Sequence, residues 1–492
     1  MAAASGGSYL SVLPASISAI PFLSPQNAVQ LAQAKQGTSY GFHHRRAQGE
    51  GCDCSVLPAS ASSFSFSTVF DSNSRKLRMH RKPKSKWLHD REGIAVEARV
   101  EEFSSDDFEV ERLLGSYGYI NVSSYTPPQP GSIFGSNLAE NAPSGFDRGD
   151  LTRISGQEVE EGSVQTRLYS GRIRSGDRMG TRVLLKAYPA MTTRGTDADV
   201  MAANELRSHV ILQDASQGEC SENIIYLYGG FQTRAGEQWL VFRDDGRITA
   251  ADYAKEAAQA TAEGRAVGEW EFWDRFDKSR PIQRRRHFIT KLLRGTFKGL
   301  AFMHACGRLH QSLGPASVVI NTKEERGVGY LMPRLRDLAF STDVSVLGSD
   351  ARDSTLDQTV SALSEGLWRR AAMAGARMAM ERKAFGIADD IYAGGLFLAY
   401  MVFVPFCEMG SIDGPSLQAS KRLLETTFRL DISAAREYCE ADDRWVEAVR
   451  FLDLDDGAGW QLLQAMLNPD YRQRPTVEAV LSHRFLTGAI LE

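Results

Sequence analysis

The stretch Arg308-Leu309-His310-Gln311-Ser312-Leu313-Gly314-Pro315-Ala316-Ser317-Val318-Val319-Ile320 decides which fold the sequence predicts. It is a polar loop that ends in a short apolar segment, Val318–Ile320, and this segment predicts a strand. The loop offers hydroxyl and amide side chains, from Gln311, Ser312 and Ser317, and contains no carboxylate. A hydroxyl cannot orient or deprotonate a substrate group as a carboxylate does, so the loop predicts little acid–base chemistry of its own.

The surrounding segments predict a β-rich region followed by a mostly helical one. Strand-like runs occupy residues 163–173, 181–189, 223–232 and 237–243. Helix-like runs occupy residues 197–215 and 282–305, and the second repeats apolar residues at three- and four-residue spacing. The order of these runs predicts an α+β fold with a small β-rich part and a larger helical part.

Residues suited to phosphate chemistry occur in the order of the protein kinase motifs. They are Lys186, Glu205, His310, Pro315, Asp337-Leu338-Ala339, Leu363-Ser364-Glu365, Asp390 and Arg474. On these positions the chain, from about residue 151 to residue 486, resembles the protein kinase superfamily. The resemblance implies a two-lobed α+β fold, with a β-rich lobe at about 151–245 and a helical lobe at about 246–490. It also implies that Glu365 pairs with Arg474.

Three stretches resemble one group within that superfamily, the STN-type Ser/Thr kinases of chloroplast thylakoids. They are residues 239–254 (WLVFRDDGRITAADYA), Asp337-Leu338-Ala339 in place of Asp-Phe-Gly, and residues 451–467 (FLDLDDGAGWQLLQAML). The sequence departs from those kinases in one respect, because no membrane-spanning helix is predicted ahead of the kinase-like region.

The resemblance implies a site for ATP and Mg²⁺. Lys186 takes the position that contacts the α- and β-phosphates, with Glu205 as its ion-pair partner, and Asp337 takes the position of a Mg²⁺ ligand. The usual glycine-rich loop aligns with residues 160–165, which keep only Gly162. Side chains obstruct the approach of phosphates to such a loop, so the alignment predicts weakened ATP binding. The plain alternatives are an ordinary strand lysine and a loop aspartate that caps a turn.

The catalytic loop has lost the residues that the resemblance requires for phosphoryl transfer. Ser312 stands at the position of the base Asp, Gly314 at that of the Lys, and Ser317 at that of the metal-binding Asn. A general base is worth ~10²–10⁴-fold in rate, and a donor that stabilises the transition state is worth ~10²–10³-fold. Gln311 replaces the Arg that reads a phosphorylated activation loop. These changes predict very little turnover.

Three hypotheses for function follow from this loop. The first is a plastid pseudokinase, a regulatory or scaffold module that retains ATP binding at most and binds other plastid proteins. The second is an active Ser/Thr kinase of thylakoid or stromal proteins with relocated catalytic groups, which the retained Lys186, Glu205 and Asp337 favour. The third is an assembly factor that associates peripherally with the thylakoid through the basic run at residues 75–86.

The composition sets limits on partners and compartment. The chain has 492 residues, 42% hydrophobic and 24% charged, which predicts a globular protein. Its net charge of −4 argues neither for nor against nucleic acid or membrane as a partner, and no nucleic-acid partner is expected. Its six cysteines are mostly scattered and predict a reducing compartment without structural disulfides. The longest uncharged run, Ile391–Cys407, is shorter than the ~20 residues of a spanning helix and predicts a buried core helix, so no transmembrane span is expected.

The N-terminal region has the composition of a targeting segment. Residues 1–70 contain two acidic residues, Glu50 and Asp53, and are rich in Ser and Ala. This composition predicts a chloroplast transit peptide, with a disordered tail as the alternative, and hence a protein of the stroma or the thylakoid. Residues 71–150 predict a basic and then acidic linker and strap. Within it Ser104 or Ser105 is placed to N-cap a short helix.

Overall fold

The structure, a computed structural model, describes residues 101–118, 164–190, 196–216, 221–262, 279–344, 355–407, 421 and 423–487. The chain divides into two units, Met1–Glu97 and Ala98–Glu492, and all described residues lie in the second. The predicted transit segment and the basic run at residues 75–86 lie outside the described residues.

The first part of the second unit is a six-stranded sheet with the order β1-β5-β6-β4-β3-β2. Its strands are β1 (Glu101–Glu102), β2 (Phe108–Gly118), β3 (Gln165–Ile173), β4 (Arg182–Tyr188), β5 (Leu227–Gln232) and β6 (Gln238–Arg243). β1 pairs with β5 in parallel, and the other neighbours are antiparallel. Side chains alternate across a strand, so Val183 and Leu185 enter the core of the sheet while Lys186 points to the opposite face.

The sheet begins before residue 151, where the sequence led us to start the domain. β2 pairs with β3 from Phe108 opposite Ile173 to Gly118 opposite Gln165. β2 is an edge strand, so one side of it faces solvent. Its sequence therefore carries charged residues and lacks the apolar pattern of a core strand. The predicted short helix just ahead of it is confirmed as Ser105–Asp107, with Ser104 as its N-cap.

Helix α1 (Thr196–Ala215) packs against β4, β5 and β6. It also contacts the segment that follows Asp337, through Asn204, whose Nδ2 donates to the backbone oxygens of Ala339 at 2.7 Å and Ser341 at 2.9 Å. The sheet region is thereby tied to the helical region by buried hydrogen bonds.

The second part is mostly helical. Its helices are α2 (Ala250–Ala262), α3 (Ser279–Ala305), α4 (Thr355–Met373), α5 (Ala379–Phe403), α6 (Ile432–Glu440), α7 (Val446–Leu452), α8 (Leu454–Met466), α9 (Val477–Ser482) and α10 (Arg484–Thr487). Short strands line the loop region: β7 (Ile248–Thr249), β8 (Arg308–Leu309), β9 (Val318–Ile320), β10 (Arg334–Leu335) and β11 (Thr342–Asp343). The predicted α+β class, a sheet region followed by a helical region, is confirmed.

The long apolar run Ile391–Cys407 lies mostly in α5, as predicted for a core helix. This helix is long and apolar enough to cross a membrane, but 94% of its most apolar window is buried inside the protein. Residues Ile391, Phe397 and Met401 belong to the main helical core. The hydrophobicity of α5 is therefore explained by packing.

Candidate functional site

Lys186 and Glu205 form a buried ion pair between the sheet and α1. Lys186 Nζ lies 2.9 Å from Glu205 Oε1 and 2.8 Å from Oε2, and both side chains are almost fully buried. The Tyr188 hydroxyl, on the same face of β4, donates to Glu205 Oε2. Burial raises the pKa of Glu205 above its ordinary value, and the charge of Lys186 opposes that rise. The spacing of these two residues in sequence therefore corresponds to a contact in the fold.

Asp337 lies on the other side of Lys186 and shares its charge. Its Oδ1 accepts a hydrogen bond from Lys186 Nζ at 2.6 Å, and its Oδ2 accepts one from Arg336 Nε at 3.0 Å. The Arg336 Nε also donates to the Ala316 carbonyl at 3.2 Å. Two carboxylates, Glu205 and Asp337, are thus balanced by two cations of the same chain.

Ser312, at the position of the catalytic base, is turned into the protein. It is 1% exposed, and its hydroxyl donates to the backbone oxygen of Asp337 at 2.8 Å. The Ser312 Oγ also lies 3.3 Å from His310 Nδ1. Among the described residues no carboxylate hydrogen-bonds to Ser312. In the described part of the chain, the hydrogen bonds of Ser312 therefore include no carboxylate that could replace the missing base.

The loop is held from below by Asp390 on α5. The Asp390 carboxylate accepts from His310 N at 2.8 Å, Gln311 N at 2.9 Å and Gln311 Nε2 at 3.0 Å. It also lies 2.9 Å from His304 Nε2. Burial acts to raise the pKa of Asp390, but the hydrogen bond and charge of His304 outweigh it and hold that pKa below its ordinary value. Gln311, in place of an arginine, uses its amide nitrogen in this support, while its Oε1 is buried without a hydrogen-bond partner among the described residues.

Ser317 and Gly314 close on each other. The Ser317 hydroxyl accepts from Gly314 N at 2.9 Å and donates to the Gly314 carbonyl at 2.9 Å. Ser317 is fully buried, and its hydroxyl is used in these two bonds within the loop. Gly314 brings no charge to the cleft.

The residues in this site do not fit a Mg²⁺ ion. The predicted ligand Asp337 already has a cation on each oxygen, and Ser317 is hydrogen-bonded within its own loop. Mg²⁺ needs oxygen ligands in near-octahedral geometry and gives up water reluctantly, so it competes poorly with a fixed guanidinium. No cluster of three or more His, Cys, Asp or Glu side chains suited to a metal occurs among the described residues. The assignment of Asp337 as a Mg²⁺ ligand stays a prediction, and these contacts weigh against it.

The space beside Lys186, where a nucleotide base would lie, is small. The cavity lined by Leu168, Leu184, Phe242 and Asp337 holds ≈ 20 Å³, room for about one water molecule. The Phe242 ring is buried and meets the ring of His209 edge-on at 5.2 Å. A nucleotide needs this cavity to open.

The alignment of the glycine-rich loop with residues 160–165 stays a prediction, because most of that segment is not described. Gly162 lies outside the described residues. In the structure β2 is the strand that precedes β3, and its end carries Gly115 and Gly118 in the sequence Gly-Ser-Tyr-Gly. These two glycines are the better candidates for close phosphate approach, since such a loop follows the first long strand of a kinase-like sheet. Two glycines three residues apart after an apolar pair were the signal in the sequence.

Two further positions depart from the kinase pattern. Glu365 bonds to Arg369 on the exposed surface of α4, at 2.8 Å. Arg474 donates instead to the backbone oxygens of Asn468 at 2.8 Å and Ala388 at 3.0 Å. The implied pairing of Glu365 with Arg474 is therefore wrong, because Glu365 points to solvent.

Comparison with known proteins gives a consistent likeness. No protein-family model matches the chain. The chain is similar to serine/threonine-protein kinase STN7, chloroplastic, of Arabidopsis thaliana, with 22% identity over 299 residues, which covers 55% of this chain. The match covers 47% of STN7, so it spans about half the length of that relative. A crystal structure of a Stt7 homolog from Micromonas algae soaked with ATP is 18% identical, with a TM-score of 0.42, over 66% of this chain and 90% of that one.

Three features occur in the order of a protein kinase. They are the sheet region followed by a helical region, the Lys186–Glu205 pair, and the loop at His310 that Asp390 supports. Together with the similarity to STN7, they show that the chain has a kinase-like fold and resembles the STN-type Ser/Thr kinases.

Proposed function

We propose that the chain is a catalytically silent kinase-like protein that acts as a regulatory or scaffold module. One observation carries the proposal: the hydroxyl of Ser312 is buried and bonded to the Asp337 backbone, with no carboxylate beside it among the described residues. A substrate hydroxyl in this cleft has no base to orient it. The loop nevertheless keeps its support by Asp390, which preserves the shape of the fold.

The cleft supports at most weak, metal-independent ATP binding. Lys186 is in place for phosphates, but the adjoining cavity of ≈ 20 Å³ is far smaller than the ≈ 300–1,000 Å³ of typical ligand sites. Binding therefore requires opening of the cavity and partial release of Lys186 from Asp337. Both changes lower the apparent affinity.

The test is incorporation of labelled γ-phosphate by purified protein, with a general acceptor protein and with the chain itself as acceptor. We expect none above the level of Lys186→Met, which serves as the control for contaminating kinases. Incorporation by the wild type that disappears in both Lys186→Met and Asp337→Asn would overturn the proposal.

An active kinase with an atypical loop is the second candidate, and the intact Lys186–Glu205 pair favours it. A variant with Ser312→Asp, Gly314→Lys and Ser317→Asn separates the two. If the wild type is silent because of its loop, only this variant can gain transfer. If the wild type is active by relocated groups, the same changes disturb a working site and reduce its rate.

We further propose a chloroplast location. The composition of residues 1–70 supports it, and the similar kinase STN7 is named as chloroplastic. A fluorescent protein fused behind residues 1–75 is expected in chloroplasts of leaf cells. Cytosolic fluorescence of that fusion, with a known transit peptide imported in parallel, contradicts the location. Comparing stromal and thylakoid fractions with and without residues 75–86 then tests peripheral membrane association.

A further inference from the structure

A second concave site lies along α3 and shares no residue with the nucleotide cavity. It encloses ≈ 580 Å³, within the range of functional binding sites in proteins. One wall is α3, and the others are the loop residues Glu222 and Asn223, the turn at 331–333 and the end of α10. We call this site the α3 groove.

The charge of the α3 groove is strongly one-sided. His287, Lys291, Arg294 and Lys298 recur at three- and four-residue spacing, so they lie on one face of the helix and line the groove. The one acidic residue of the lining is Glu222. With three fixed cations against a single carboxylate, the groove attracts anions even though the whole chain is slightly acidic.

Two of these cations are not used by the fold. Arg294 and Lys298 are exposed, and neither has a hydrogen-bond or ion-pair partner within the part of the chain that the structure describes. Another face of the same helix is different, since Arg285 pairs with Glu325 at 2.7 Å and Arg286 with Glu447 at 3.1 Å. Lys291, which also lines the groove, donates to the Gly329 carbonyl at 2.7 Å. Arg294 and Lys298 therefore differ from the paired basic residues of α3, because they have no such partner in the described part of the chain.

The floor of the groove is apolar and closely packed. Leu331 and Leu486 lie beneath it and are fully buried, and the half-buried Met332 supplies apolar surface that a ligand can contact. Gly295 lets the turn approach, because a Cβ at that position would lie 2.8 Å from Pro333 Cδ. A ligand thus meets a rigid apolar floor between a basic wall and the turn.

We propose that the α3 groove binds an extended acidic peptide segment of a partner protein, with apolar side chains between its carboxylates. Lys291 and Lys298 are separated by about 10 Å along the helix axis at 1.5 Å per residue. An extended peptide covers that length in about three residues, so neighbouring carboxylates on one side of it reach successive cations. The apolar residues between them meet the floor.

Other anionic partners fit the groove less well. Nucleic-acid bases stack best on the rings of Phe, Tyr and Trp, and none of these lines the groove. A membrane presents its charges on a broad plane, whereas these cations lie along one concave wall. A single small anion cannot contact cations about 10 Å apart. An acidic peptide satisfies both the length and the mixed chemistry.

The proposal deepens the proposed scaffold function by giving it a partner surface, and its test needs no nucleotide. A fluorescein-labelled peptide of alternating Asp and Leu is titrated with the full chain and followed by fluorescence anisotropy. Arg294→Glu with Lys298→Glu is expected to weaken binding about tenfold or more, and added salt to weaken wild-type binding. The matched control reverses two exposed cations outside the groove, Arg377→Glu with Lys383→Glu, and is expected to change it less than about twofold.

Several outcomes would overturn the proposal. Equal loss in the two double variants means that only net charge matters. Absence of peptide binding at low salt, with binding to anionic phosphatidylglycerol vesicles that Arg294→Glu with Lys298→Glu abolishes, assigns the groove to a membrane. Peptide binding that occurs only after residues 488–492 are removed assigns it to the chain itself. Phosphotransfer by the wild type would refute the proposed function and leave the peptide result standing.

Discussion

The cleft contains two polar clusters, the charged side chains around Lys186 and the loop serines Ser312 and Ser317. Their buried polar atoms find partners in opposite ways. Around Lys186 the groups are charged; Lys186 pairs with Glu205 and Asp337 from two other segments, and Arg336 pairs with the adjacent Asp337. In the loop, Ser312 and Ser317 are neutral and bond to backbone atoms. A buried charge cannot lose its partner cheaply, whereas a hydroxyl bonded to the backbone is a stable end state. The charged cluster around Lys186 is therefore required for folding itself, whereas the loop serines are stable in their neutral bonds without any charged partner.

The largest effect is expected where the charged cluster is broken. Lys186→Met leaves Glu205 and Asp337 buried without their shared cation, and we expect the free energy of unfolding to fall by ~3–5 kcal/mol. Urea denaturation measures it, with the exposed Lys383→Met as control. A buried carboxylate without a cation has a raised pKa, so the folded variant binds protons more tightly than the unfolded chain. The deficit should therefore shrink as pH is lowered. A loss below 1 kcal/mol would mean that the cluster is not a structural requirement.

The neutral loop should respond to the reverse change, the introduction of a charge. Ser312→Asp places a buried carboxylate against the Asp337 backbone oxygen, which also accepts hydrogen bonds, and is expected to cost ~1–3 kcal/mol of stability. Ser312→Asn keeps a donor at the same position and should cost less. The comparison is made by urea denaturation at neutral pH. If Ser312→Asp and Ser312→Asn lower the free energy of unfolding equally, the side chain at residue 312 is not held against the Asp337 backbone oxygen as the hydrogen bond indicates.

The same contrast explains what the sequence could and could not predict. The pairing of Lys186 with Glu205 was predicted because a strand lysine followed by a helix glutamate at this spacing matches the ion pair of the kinase fold. The core role of α5 followed from its continuous apolar run. β2 escaped detection because it is a charged edge strand whose partner begins only at Gln165. Its pairing is long-range and leaves no local signal.

The role of Arg336 was also invisible in the sequence. An arginine before the Asp337-Leu338-Ala339 motif predicts nothing by itself, and only the backbone geometry aims its guanidinium at the adjacent carboxylate. The smallness of the cavity beside Lys186 likewise depends on how Phe242 and Leu184 pack. Side-chain packing of this kind is set by the whole core and not by local pattern.

A smaller change in stability, in the opposite direction, is expected for His209, which lies beside the charged cluster around Lys186. His209 is fully buried, and neither of its ring nitrogens has a hydrogen-bond partner within the described ranges. Burial, aided by the charge of Lys186, lowers the pKa of His209 to about 3. His209→Met removes two unsatisfied polar atoms and should stabilise the protein by ~1 kcal/mol near neutral pH. Thermal denaturation measures it, with the exposed His287→Met as control.

The pH dependence of that difference follows from the lowered pKa. The unfolded chain protonates this histidine near pH 6.5 and the folded chain only near pH 3, so wild-type stability is lost as pH falls through this window. His209→Met lacks this loss. Its advantage over the wild type should grow between pH 7 and pH 5, and a constant difference would show that the ring is protonated in the fold.

The smallest effect tests whether the charged cluster excludes a metal. Because Arg336 and Lys186 already neutralise Asp337, Mg²⁺ should leave the melting temperature of the wild type unchanged, with or without ATP. Arg336→Leu frees Asp337 Oδ2 while keeping an apolar stem, and Mg²⁺ should then stabilise the variant by ~0.4 kcal/mol when its concentration equals the Kd. Arg334→Leu, two residues earlier, is the control for loss of charge. Mg²⁺ stabilisation of the wild type equal to that of Arg336→Leu would show that the guanidinium yields to the metal. The cleft would then be a divalent-cation site after all.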